Sequence, residues 1–111
     1  MAYDAELADR IREALVDEPS VVEKKMFGGL QFMVRGKIAV GAHFDGELLV
    51  RTDPAQTEDL VSRRGARAAV MGDRDMGNGW ITVDSDGVAG DGLDYWIGVA
   101  LEYNERTRPQ R

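Results

Sequence analysis

Cysteine is missing from all 111 residues. That absence removes disulfides, thiolate nucleophiles, zinc–thiolate sites and iron–sulfur clusters together. Histidine is nearly as scarce. His43 stands alone, so a metal site built on two histidines of one chain is excluded. No apolar run approaches the roughly 18 residues of a membrane-spanning helix. The opening stretch, MAYDAELADRIREALV, is acidic and lacks the apolar core of a signal peptide, which gives a cytoplasmic expectation. Positive charge is also in deficit. With 14 Lys and Arg against 20 Asp and Glu, the formal charge is -6. A field of that sign opposes nucleic acid, whose binding depends on clustered cations neutralising phosphates.

What is present reads as an ordinary globular domain, 43% hydrophobic and 31% charged. The length suits one domain, expected over residues 1–107 with a loose tail at 108–111. Tyr3, Leu7, Ile11, Ala14 and Leu15 recur at helical spacing, predicting a helix from Tyr3 to about Val16 that Pro19 closes. A block of strands follows: Val21–Phe27, Leu30–Arg35, Lys37–Phe44 and Glu47–Arg51. Leu30, Phe32 and Val34 alternate with polar neighbours, as do Ile38, Val40, Ala42 and Phe44, and glycines mark the turns.

Asp53 as N-cap, Pro54 at the first helical position and Gln56 in a capping box predict a second helix over Pro54–Arg64, stopped by Gly65. Arg67–Met71 and Trp80–Asp84 read as strands, with GDRDMGNG and SDGVAGD as loops. Leu93, Trp96, Ile97, Ala100, Leu101 and Tyr103 give a last helix, about Gly92 to Thr107, a wide apolar face. The order α-β4-α-β2-α is an α+β arrangement in two layers: an antiparallel meander with helices packed on one face.

The stretch KKMFGGLQFMVRGK, Lys24–Lys37, places two lysines and a glycine pair before an alternating run. A P-loop needs Lys-Ser or Lys-Thr, which occurs nowhere in the chain. A dinucleotide loop needs a helix after the glycines, where here a strand follows. Gly28-Gly29 therefore reads as a hairpin turn or bulge requiring positive φ, with an anion nest as the alternative. The aspartate loops lack the ligand and glycine positions of a calcium site. His43 is expected on the strand face shared with Ala39 and Gly41, opposite the main apolar row. None of Ser20, Ser62 or Ser85 offers it a nucleophile-elbow partner. No carboxylate pair sits in an apolar setting that would raise a pKa. Arg51, before the cap Asp53, is expected either to pair with a carboxylate or to face an acidic partner. Ala39, Gly41 and His43, beside Met33, leave the second sheet face thinly covered, a surface suited to a second subunit.

The helix MAYDAELADRIREAL, then VVEKKMFGGLQFMVRGKIAVG, then ELLVRTDP, DMGNGWITVD and a final helix containing YW together resemble the N-terminal domain of the TfoX/Sxy family. The resemblance covers Met1 to about Arg106, and K-M-F-G-G with these flanks is its most specific part. It implies a stand-alone α+β domain similar to secretion-chaperone-like folds. It also implies the setting of natural competence, where full-length members act as transcriptional co-regulators with the cyclic-AMP receptor protein and carry a second, helical domain.

The expectation is a non-enzymatic cytoplasmic regulatory domain that binds proteins. Its partner would be a transcription regulator or a separate helical domain of the TfoX C-terminal type. A homodimer through the sheet is also expected, with no cofactor, no metal, no membrane and no direct nucleic-acid contact. The candidate interaction surface is Lys24, Lys25, Phe27, Gly28, Gly29, His43 and Arg51. A small-ligand or enzymatic cleft near Lys25, Phe27 and Arg51 is the alternative, and it requires those side chains to converge. A third reading, DNA binding through Lys24, Lys25, Arg35 and Lys37, runs against the net charge.

Overall fold

The computed structural model describes residues 4–18, 20–26, 28–43, 46–71, 74–75 and 79–107. Helix α1, Ala5–Ala14, begins where the Asp4 side chain accepts a hydrogen bond from Leu7 N at 3.0 Å. It buries Leu7, Ala8 and Ile11. Tyr3 and Pro19, assigned to its two ends from sequence, lie outside the described residues.

Six strands form one antiparallel sheet: β1 (Val21–Met26), β2 (Gly29–Val34), β3 (Lys37–Ala42), β4 (Leu48–Arg51), β5 (Ala66–Ala68) and β8 (Trp80–Val83). Their spatial order is β1-β2-β3-β4-β8-β5. A separate ribbon pairs β6 (Val70–Met71) with β7 (Arg74–Asp75). The register sets Leu30, Ala42 and Leu48 in one cross-strand row, and Phe32, Val40 and Val50 in the next. Those side chains, with Val34, Ile81 and Val83, are buried and form the core side. Against it lie Leu7, Ile11 and Leu15 from α1 and its end, and Leu93, Trp96, Ile97 and Ala100 of α4 (Gly92–Arg106). The α+β architecture expected from the periodicities is therefore present, with helices packed on the sheet.

α1 is also tied to the sheet edge. Arg12 forks onto Glu23 of β1 with hydrogen bonds of 2.7 and 2.9 Å. That contact holds the Glu23 carboxyl below the usual carboxylate range, while burial acts the other way.

Four details depart from the sequence expectation. The second helix is a 3-10 turn, Pro54–Gln56, followed by one α turn, α2 (Thr57–Leu60). Asp53 caps it through Ala55 N at 2.9 Å, but Gln56 makes no capping-box bond. The strand expected over Arg67–Met71 is divided into β5 and β6. Within the expected loop GDRDMGNG, Arg74–Asp75 pairs with β6, and residues 72–73 and 76–78 lie outside the described residues. In SDGVAGD, Ser85–Val88 forms the short helix α3, because Asp84 accepts from Gly87 N at 3.1 Å. The tail at 108–111 and Phe44 also lie outside the described residues.

Candidate interaction site

The glycine pair has two jobs rather than one. Gly28 takes φ +75 and turns β1 into β2, and a Cβ there would meet open space. Gly29 has no positive φ. It is needed because a Cβ would come within 2.6 Å of Ala42 O and 2.8 Å of the His43 ring. The same logic repeats on β3, where a Cβ on Gly41 would overlap the Gln31 carboxamide. Two polar side chains thus lie flat on glycine backbone, on the sheet face away from the helices.

Gln31 is fully buried, and its Nε2 donates to Met26 O at 2.9 Å and faces His43 Nε2 at 3.1 Å. With both Nε2 hydrogens used, His43 accepts at Nε2 and carries its proton on Nδ1. Burial pushes the His43 pKa below its ordinary value, and Glu47 opposes this. Gln31 Oε1 is buried without a hydrogen-bond partner, resting against Gly41. Sequence reading placed His43 correctly on this face beside Gly41. It did not single out Gln31, whose only signal was a polar residue directly across from a glycine in the neighbouring strand.

Ala39 is not on this face. The register shifts between Phe32 and Met33, so Met33 pairs with Ile38, and Ala39 is buried in the core cluster at 1% exposure. The extra residue of a bulge flips the alternation beyond it, and Ile38 takes the outward place expected of Ala39. The second face is also not bare at its centre, since Gln31, Gly41 and Leu49 are buried there. Its outward apolar row is Val22, Met33 and Ile38, with Val22 52% exposed and Met33 and Ile38 half-buried.

That stripe leads to Arg51. Ile38 and Arg51 line one cleft with Lys37, Tyr103, Asn104 and Thr107. The Arg51 guanidinium lies over the Trp80 ring at 4.9 Å and over the Tyr103 ring at 5.7 Å. Arg106 also lies 5.7 Å from the Tyr103 ring and reaches Asp53 at 3.2 Å. Neither alternative foreseen for Arg51 described these rings. Among the described residues it pairs with no carboxylate.

Lys24, Lys25, Arg35 and Lys37 do not form one patch. Lys24 and Lys25 are exposed on the edge strand β1, and alternation points them to opposite faces. Arg35 bonds Asn104 Oδ1 at 3.1 Å and faces Glu18 at 3.7 Å. Lys37 Nζ donates to Asn104 O at 3.2 Å and Thr107 Oγ1 at 2.8 Å. Both cations therefore serve the carbonyl end of α4, where positive charge is favoured. Burial, with Arg51 and Arg35 nearby, holds the Lys37 pKa below its ordinary value. Lys25 and Arg51 do not converge. Lys25 lies in the row of Leu30, Ala42 and Leu48, three strands from β4, whereas Arg51 pairs with Trp80 on the other face. Phe27 lies outside the described residues. Among the described residues no three His, Asp or Glu side chains converge as a metal site requires.

These features define a class: an α+β domain, helices on one face of its sheet, with an arginine–aromatic corner where β4 and β8 meet the end of α4. A match to the TfoX N-terminal domain spans residues 13–103, and the chain belongs to that family. No curated protein and no solved structure matches it. No helix among the described residues is long and apolar enough to cross a membrane.

Proposed function

We propose that this chain is a competence-related regulatory domain that works by binding protein partners in the cytoplasm and carries no catalysis of its own. Its membership of the TfoX N-terminal domain family over residues 13–103 carries this reading. The arrangement of side chains supports it. Ionisable groups with shifted pKa values are engaged in structural roles: Glu23 with Arg12, Asp53 with Ala55 N and Arg106, Lys37 with the end of α4. The polar and aromatic groups left at the surface suit recognition.

A transcription regulator, or a helical domain of the TfoX C-terminal type, is the partner this reading favours. Comparing transcripts of a deletion strain with those of the same strain complemented by the full chain tests it. Altered competence-gene transcripts that complementation restores are expected. Identical transcript profiles in the parent and deletion strains contradict the reading.

A second reading, self-association through the sheet, is favoured by the stripe of Val22, Met33 and Ile38. Light scattering of the purified chain is expected to give a dimer mass that Val22→Glu reduces to the monomer's. A monomer at every concentration removes this reading.

A further inference from the structure

We infer that the Arg51–Lys37 corner of the sheet is a docking site for an acidic side chain on a protein partner, an inference that rests on the interaction-domain reading. The guanidinium of Arg51 lies over both the Trp80 ring and the Tyr103 ring. Among the described residues it has neither a carboxylate partner nor a side-chain hydrogen bond. The rings hold the guanidinium by cation–π attraction, and its N–H donors, which no carboxylate among the described residues takes up, suit a carboxylate. Ordering this side chain in advance lowers the entropy lost when an acid arrives.

The neighbouring cations divide clearly. Arg35 is engaged by Asn104 and Glu18, and Arg106 by Asp53. Lys37 directs two of its three N–H groups to Asn104 O and Thr107 Oγ1. One remains for a ligand at the mouth of the narrow cleft it shares with Arg51, a space of only about 10 Å³. An acid seated there would also relieve the repulsion between these two cations.

The row of Val22, Met33 and Ile38 runs to the same corner. The fitting partner is therefore a segment carrying an acid beside apolar residues. A nucleic acid fits less well, because its whole phosphate field would meet a chain of net charge -6. One carboxylate on a mixed segment meets only the local corner.

The test is anisotropy of a fluorescein-labelled peptide of interspersed Glu and Leu, titrated with the full chain at low salt. Trp80 emission serves as the local reporter, since Trp96 is 2% exposed. Saturable binding is expected, weakened about three- to tenfold by each of Arg51→Gln and Lys37→Gln, the net size of one ordinary hydrogen bond. Arg51→Lys keeps the charge and loses the fork. It is expected to bind several-fold more weakly than the natural chain while melting at a similar temperature. Arg63→Gln, remote from the corner, should bind normally.

No binding, or equal binding by all variants, overturns the site. Stronger binding of oligothymidylate or inorganic phosphate than of the peptide overturns the partner class. Loss of peptide binding with an intact transcript effect would sink this inference alone. Intact peptide binding with no transcript effect would sink the regulatory reading and leave the site.

Discussion

At the scale of single residues, the sheet's outer face is organised by what glycine permits. Gly28 supplies a positive φ and Gly29 supplies room. Substituting each separates the two roles. Gly28→Asn should cost well under about 1 kcal/mol, because Asn tolerates the left-handed region. Gly29→Ala should cost about 1–3 kcal/mol, the usual penalty for forcing atoms into a packed position. Urea denaturation of both variants checks this, and equal costs would mean the His43 contact is not limiting.

His43 provides a second test at this scale. Its folded pKa lies below that of the unfolded chain, which stays near ~6.5. The unfolded chain therefore takes up a proton first as pH falls. Stability from the neutral imidazole is complete above about pH 6.5 and declines below it toward the folded pKa. Urea midpoints measured at about pH 7.5 and 5.5 should fall more in the natural chain than in His43→Gln. Parallel falls would show that His43 does not titrate differently on folding. The doubled use of the glycines was only half legible in sequence. A Gly-Gly between strands announces a turn, but the ring that lies on the second glycine comes from 14 residues further along.

At the scale of elements, the end of α4 is fastened to the β2–β3 turn. Asn104 is buried, donates to Val34 O at 3.0 Å and accepts from Arg35. Arg35 itself sits at φ 55 in that turn, followed by Gly36 at φ 81. Positive φ at both central positions is what a tight hairpin turn demands, and for arginine it is a strained choice that the contacts to Asn104 and Glu18 help to hold. Asn104→Ala leaves Val34 O and Arg35 without this partner. It should cost about 1–3 kcal/mol, against about 0.5 kcal/mol or less for exposed Thr107→Ala, as read from thermal or urea melts. Comparable losses for the two would mean that Asn104 is not the fastening point.

Strands β1 to β4 and β8 were readable because period-2 alternation and glycine turns are local signals. The bulge at Ala39 was not, because one inserted residue reverses the alternation without any change in composition. The short α2 was overread for a related reason. Caps and propensity favour a helix from Pro54, but the segment has to return to β5 at Ala66, and only Thr57 and Leu60 of it are buried.

At the scale of the whole molecule, charge is distributed unevenly. A chain of net charge -6 collects Arg35, Lys37, Arg51 and Arg106 around the last turns of α4. Most of that positive charge holds the helix to the sheet, and Arg51 is the cation left to meet another molecule. Sequence reading flagged Arg51 by its position before a cap. It could not foresee Trp80 and Tyr103, which come from a strand and a helix far along the chain and meet only when β8 inserts between β4 and β5. Lys24 and Lys25, more conspicuous in sequence, are dispersed by the pleat of an edge strand.

The central claim, that this is a regulatory domain acting through a partner, is tested most directly by transcript profiling. A deletion strain would be complemented with either the natural chain or Arg51→Lys at equal protein levels. The natural chain should restore competence-gene transcripts, and Arg51→Lys should restore them only in part. A deletion strain whose transcripts match those of its parent would contradict the account.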